Sequence, residues 1–75
     1  MSFENFSQHN LEDLLKAGAS LELSAAVRSQ HNLEDLARSA KRGGATLTLR
    51  SASGISQHNL ESIARAGEGR VAFKD

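Results

Sequence analysis

The chain has 75 residues, of which 39% are hydrophobic and 24% are charged, so it is long enough for one small domain and too short for two. Nine basic and nine acidic residues give a formal net charge of zero, which excludes the bulk basicity typical of nucleic-acid binders but not a local basic patch. Cysteine is absent, so disulfides, thiolate metal sites and cysteine nucleophiles are excluded.

The first residues, Met1 to Phe6, have neither the basic region nor the apolar stretch of a signal peptide, and no apolar run reaches the ~20 residues of a membrane span. We therefore expect a cytoplasmic protein without membrane contact. Large apolar residues are few, and small domains with marginal cores are commonly stabilised by disulfides, metals or oligomerisation. The composition therefore predicts a homo-oligomer, with a dimer as the expected form.

The hexapeptide Ser-Gln-His-Asn-Leu-Glu occurs three times, beginning at Ser7, Ser29 and Ser56. A segment rich in small residues and glycine follows each copy, and a short stretch of alternating apolar and polar residues follows that segment. Self-similarity of this kind is typical of repeat architectures. We predict one domain, 1–75, composed of three helix–strand repeats that cover 7–28, 29–55 and 56–75.

Apolar residues recur after each hexapeptide with the i, i+3, i+4 spacing of an amphipathic helix. The three stripes are Leu11, Leu14 and Leu15; Leu33, Leu36, Ala37 and Ala40; and Leu60, Ile63 and Ala64. The serine of each hexapeptide is predicted to be the N-cap, because Phe6 and Ile55 then occupy the position of a hydrophobic staple. The alternative is a later start, with the asparagine of each hexapeptide as the cap.

Each helix is followed by a glycine and then by a predicted strand. Gly18, Gly43 and Gly67 are expected to end the helices in the left-handed conformation that other residues avoid. Apolar and polar residues alternate in the three stretches 21–24, 46–50 and 70–74, which is the period of a half-buried strand. Each repeat is therefore a helix, a turn and a strand.

Consecutive strands that are joined by helices are most simply parallel, and right-handed crossovers place the linking helices on one face of the sheet. We therefore predict a two-layer α/β fold, a three-stranded parallel sheet in the order 1-2-3 with its apolar face against the helices and its polar face outward. The alternatives are a different pairing of the first or last strand, or an additional edge strand from Phe3 to Phe6.

The segment Leu47-Thr48-Leu49-Arg50-Ser51-Ala52, followed by an amphipathic helix and recurring with a period near 25 residues, resembles a leucine-rich repeat of the helix-containing type. The resemblance covers about two repeats. An apolar consensus position after Ala52 and the asparagine or cysteine of the family's ladder are missing, so the resemblance is an analogy of architecture. It implies a protein-binding role without naming the partner.

Gln, His and Asn of the hexapeptide are the candidate binding residues. They are Gln8, His9, Asn10, Gln30, His31, Asn32, Gln57, His58 and Asn59. At 100° per residue the histidine lies about 200° from the leucine that marks the core, so all three histidines should be exposed along one rim of the domain. Two explanations of the threefold identity are open: contact with a partner or subunit, or a duplication that copied these residues without a role for them.

Catalytic and metal chemistry are not expected. Neighbouring helices stand ~8–10 Å apart, too far for three histidines in a row of one monomer to share one zinc ion at ~2 Å. Two histidines from different subunits could share one. The serines beside the histidines are occupied as caps, which argues against a nucleophilic triad. We predict no cofactor, and a non-enzymatic interaction or scaffold module that acts through self-association or a protein partner. The alternative is anion or nucleic-acid binding at the helix N-termini, with Arg28, Arg50 and Arg70 nearby.

Overall fold

The computed structural model describes residues 6–75. Helices and strands alternate in the order α1 (Gln8–Lys16), β1 (Leu21–Ser24), α2 (Gln30–Gly43), β2 (Leu47–Arg50), α3 (Gln57–Gly67) and β3 (Val71–Phe73). Two short 3-10 turns, Ala25–Val27 and Ala52–Gly54, follow the first two strands. The three helix–strand units predicted from the sequence are confirmed. The alternative of an edge strand that begins at Phe3 falls outside the described residues.

The three strands form one parallel sheet in the order β1-β2-β3. Apolar residues of the three strands share two rows across the sheet, Leu21–Leu47–Val71 and Leu23–Leu49–Phe73. The second and third strands are shorter than the predicted 46–50 and 70–74. Thr46 and Arg70 precede their strands, and their carbonyl oxygens accept the N–H groups of Leu21 and Leu47 at 3.1 and 2.8 Å.

The core lies between the sheet and the row of helices. Its largest fully buried side chains are Leu11, Leu15, Leu23, Leu33, Leu36, Leu47, Leu49 and Ile63. Helix α2 contacts both α1 and α3, so the helices stand side by side in chain order. The outward face of the sheet is polar, and on it the Glu22 carboxylate pairs with Arg50 at 3.2 Å. The fold is therefore the two-layer α/β sandwich that the sequence predicts.

Each helix begins with the serine of the hexapeptide. Backbone N–H groups at the asparagine position donate to the serine Oγ atoms at 3.1, 3.2 and 3.3 Å in α1, α2 and α3. Each hydroxyl thereby satisfies one of the amides that a first helical turn leaves without a backbone partner. The serine caps are confirmed, and the alternative with asparagine caps is wrong because these asparagines lie inside the helices.

The prediction that glycines end the helices in left-handed conformation is correct at Gly18, where φ is 102°. It is wrong at Gly43 and Gly67, which are the last residues of α2 and α3. The left-handed caps of these two helices are the following residues, Gly44 with φ 69° and Glu68 with φ 46°. Gly43 and Gly67 therefore need a reason other than backbone conformation.

That reason is close packing. A Cβ atom on Gly43 would lie 1.8 Å from the backbone oxygen of Leu15 in α1, which is far inside van der Waals contact. A Cβ atom on Gly67 would lie 3.4 Å from the Cβ atom of Ala37 in α2 and 2.4 Å from Val71 Cγ2. Gly43 therefore allows α2 to approach α1 closely, and Gly67 leaves room for the side chain of Val71 in the following strand. The Leu15 side of α1 thus faces α2, and the Ala37 side of α2 faces α3.

Candidate functional site

The glutamine of the hexapeptide joins each repeat to the next. Gln8 Nε2 donates to the backbone oxygen of Asn32 at 3.0 Å, and Gln30 Nε2 donates to the backbone oxygen of Asn59 at 3.1 Å. In both cases the bond runs from the first turn of one helix to the first turn of the following helix. The sequence places these glutamines among the binding candidates, and the structure gives two of them a role in joining the repeats.

Each glutamine amide also binds the glutamate of its own hexapeptide. The Nε2 atom donates to the carboxylate four residues on, at 2.9 Å in α1, 2.7 Å in α2 and 3.0 Å in α3. A side-chain amide has two N–H donors, so Gln8 and Gln30 use one within the helix and one between helices. Gln57 makes the bond within its helix, and no carbonyl of residues 6–75 accepts its second N–H.

The asparagines take part in the contacts between repeats through their backbone atoms. Asn32 and Asn59 accept the glutamine amide with the carbonyl oxygen, while their N–H groups donate to the serine caps. The equivalent carbonyl of Asn10 belongs to α1, and no helix of the described part of the chain precedes α1. Serine, glutamine and asparagine thus form a ladder that runs along the N-terminal turns of the helices, and it has an unmatched position at each end.

The three histidines are exposed, as their helical phase predicts. The side chains of His9 and His31 are both 80% accessible, and their Nε2 atoms lie 3.2 and 3.3 Å from the carboxylates of Asp13 and Asp35. His58 has a serine at the corresponding position, and that hydroxyl donates to the backbone oxygen of His58 at 3.2 Å. Among residues 6–75, no three His, Asp or Glu side chains are close enough together to hold a metal ion.

The histidines therefore differ from the rest of the hexapeptide. They form no bond between repeats among the described contacts, whereas the serine caps the helix and the glutamine joins the helices. Hydrogen bonds explain the repetition of the serine and the roles of Gln8 and Gln30, but an exposed imidazole beside a carboxylate adds little to folding. A contact role of the histidines stays a prediction.

Two of the arginines that the anion-binding alternative requires are held within the protein. Arg28 donates to Gln8 Oε1 at 3.3 Å and to the backbone oxygen of Phe6 at 3.4 Å. Arg50 pairs with Glu22 on the outer face of the sheet. The helix N-termini themselves are capped by serine hydroxyls, so no further feature of the described residues favours a phosphate ligand over a protein contact.

One edge of the sheet, that of β3, is open in the described part of the chain. No further strand among residues 6–75 pairs beyond β3. The apolar layer is also uncovered beside β3, where Phe73 is 37% exposed although its row partners Leu23 and Leu49 are fully buried. On α3, Leu60 is half-buried, whereas the equivalent Leu33 of α2 is 2% exposed. The end of the array at α3 and β3 therefore exposes surface that is buried between repeats elsewhere.

Comparison of the chain with protein-family models, with curated proteins and with solved structures finds no match. No helix within residues 6–75 combines the length and the apolar character needed to cross a membrane.

Proposed function

We propose that this protein is a non-enzymatic interaction module that self-associates through the exposed end of its repeat array at α3 and β3. The observation that carries the proposal is the unmatched glutamine of the third repeat. Gln8 and Gln30 each reach the next repeat, and Gln57 has the same side chain in the same helical position without a next repeat among the described residues. A second copy of the chain would supply that repeat.

The open edge of β3 supports the same proposal. An edge strand presents N–H and C=O groups that can pair with another chain, and proteins that remain monomeric commonly block such edges with proline or bulges. β3 contains no proline, since the chain has none. Phe73 and Leu60 add apolar surface beside one edge, and burial of apolar surface drives most association of proteins.

Sedimentation velocity of the 75-residue chain, from low to high micromolar concentration, tests the proposal. We expect the weight-average mass to rise above the 8.0 kDa of one chain as the concentration increases, with a dimer as the smallest assembly. A mass of one chain over the whole range, together with a melting temperature independent of concentration, would exclude self-association.

A further inference from the structure

We infer that two copies of this chain pair through β3 in antiparallel orientation, with Ala72 of one copy opposite Ala72 of the other on a two-fold axis. The inference rests on the proposed self-association and specifies its geometry. The occupant of the exposed end at α3 and β3 is thus the same end of a second copy. The product is a closed dimer in which the two three-stranded sheets join into one.

The backbone of β3 presents hydrogen-bonding groups at the open edge. In a parallel pair, alternate residues direct both N–H and C=O to the same neighbour. The N–H of Lys74 donates to the carbonyl oxygen of Leu49 at 2.8 Å, and the carbonyl oxygen of Lys74 accepts the N–H of Ala52 at 2.9 Å. Lys74 therefore faces β2, and Val71 and Phe73 direct their backbone groups to the open edge.

These outward groups are self-complementary in an antiparallel pair. Residues that are opposite each other at a hydrogen-bonded position exchange both N–H···O=C bonds. Val71 and Phe73 are two positions apart, so a two-fold axis at Ala72 places Val71 opposite Phe73 of the second copy, and Phe73 opposite Val71 of that copy. Every N–H and C=O that the two residues direct outward is then bonded. The edge of β3 is thus its own complement.

The side chains of the same residues fit this register. Val71 is half-buried and Phe73 is exposed, whereas Leu47 and Leu49 beside them in the sheet are fully buried. Directly opposite residues of an antiparallel pair lie on the same face of the sheet, and pairs of an aromatic and a β-branched residue are favourable there. The apolar layer of one copy therefore continues into that of the other.

The helix layer allows the two copies to approach. The Cβ position of Gly67 lies 2.4 Å from Val71 Cγ2, so Gly67 marks the level of Val71 along the strand. The axis at Ala72 is ~3.3 Å further along, which corresponds to about two residues of the returning helix at ~1.5 Å each. It therefore crosses α3 beside Ala64, which is exposed. This small side chain leaves room for α3 of the second copy.

The antiparallel arrangement also supplies an acceptor for Gln57. Its Nε2 atom donates to Glu61 at 3.0 Å and has a second N–H. Antiparallel α3 helices bring the first turn of one copy beside the last turn of the other, where carbonyl oxygens lack partners within the helix. One of these oxygens would take the place of the Asn59 carbonyl that accepts Gln30. The opposite ends of the two helix dipoles also attract each other.

One pair of side chains opposes the dimer. On the outer face of the sheet Arg70 is opposite Lys74 of the second copy, and like charges at directly opposite positions are unfavourable. The repulsion is reduced because Lys74 lies 3.5 Å from the carboxylate of Glu22 in its own chain. Since Arg70 meets Lys74 only in this register, the pair also provides a test of the register.

A single cysteine on the two-fold axis tests the pairing. The chain has no cysteine, so the thiol of Ala72→Cys can form a protein disulfide only with another copy. The Cα atoms of opposite residues at a position without hydrogen bonds are ~4.5 Å apart, which is within the range of a disulfide. Thr48→Cys is the matched control, because Thr48 is the neighbour of Ala72 in the same row of the sheet but lies on β2.

Both cysteine variants are equilibrated in a glutathione redox buffer and separated without reductant. We expect the fraction of disulfide-linked dimer to be at least ~10-fold larger for Ala72→Cys than for Thr48→Cys, because paired strands raise the effective concentration of the two thiols.

A charge reversal tests the register independently of the cysteines. Arg70→Glu places a carboxylate opposite Lys74 at both equivalent positions of the dimer, so the dissociation constant from sedimentation velocity should fall by ~3–10-fold. Lys16→Glu is the control, since it changes the net charge equally at an exposed residue of α1, and it should leave the dissociation constant unchanged.

The outcomes separate this geometry from self-association itself. The two-fold pairing is wrong if the wild type grows beyond a dimer, if Ala72→Cys links no better than Thr48→Cys, or if Arg70→Glu does not tighten association. In each of these cases the wild type still associates, and the proposed function stands. A wild type that is monomeric at every concentration overturns the inference and the proposed function together.

Discussion

The Nε2 atom of Gln30 and the backbone oxygen of Asn59 lie 3.1 Å apart, although the two residues are separated by 29 positions in the chain. Gln8 and Asn32 repeat the relationship one unit earlier at 3.0 Å. Both bonds are partly buried, which shields them from competing water. They tie the N-terminal turns of successive helices together, at the rim where the exposed histidines also lie.

The Gln30 amide is expected to stabilise the fold, whereas the Gln57 amide is not. Gln30→Ala should lower the free energy of unfolding by about 1 kcal/mol, the usual net value of a hydrogen bond in proteins. Gln57→Ala, its matched control, should change it by less than ~0.5 kcal/mol because Gln57 is exposed. Urea denaturation at low protein concentration, where association is minimal, measures the difference. Equal losses would show that the bond to Asn59 adds no stability.

Gly43 is expected to be intolerant of even a methyl group. Gly43→Ala should destabilise the domain by ~1–3 kcal/mol, the usual cost of overpacking, even though alanine has the higher helix propensity by ~1 kcal/mol. The reason is the backbone oxygen of Leu15, 1.8 Å from the added Cβ atom. Gly54→Ala is the control, since nothing lies within 4 Å of its Cβ position. A melting temperature of Gly43→Ala equal to or above that of the wild type would contradict the close approach of α1 and α2.

The histidines are expected to be dispensable for folding. Replacing His9, His31 and His58 together with glutamine should change stability by less than ~0.5 kcal/mol per site, as surface substitutions usually do. The side chains of the first two are 80% accessible. The same triple variant should lose binding of any partner that uses the rim. Loss of cooperative melting in the triple variant would show that the histidines have a structural role.

Local sequence signals predict the elements of this fold well. The serine caps and the i, i+3, i+4 stripes depend on residues within one helix, and strand direction follows from the helical crossovers. The roles of Gln8 and Gln30 could not be predicted in the same way, because their acceptors lie on a neighbouring helix whose distance no local pattern specifies. The packing role of Gly43 likewise depends on the position of Leu15 in another helix.

The short irregular segments also could not be predicted from the sequence. The 3-10 turns Ala25–Val27 and Ala52–Gly54 are only three residues long, too short to show a period. Ser51, with φ 60°, and Glu68, with φ 46°, adopt the left-handed conformation. Neither position holds glycine or asparagine, the residues from which this conformation is usually predicted. At these positions the paths of the flanking elements determine the backbone more strongly than residue preference does.

Residue-resolved amide exchange of the wild-type chain at several concentrations tests association through the β3 edge most directly. Val71 and Phe73 direct their N–H groups to this open edge, whereas Leu21 and Lys74 donate to carbonyls within the sheet. We expect exchange at Val71 and Phe73 to slow together as the concentration rises, while Leu21 and Lys74 change much less. Exchange at Val71 and Phe73 that is equally fast at all concentrations would contradict association through this edge.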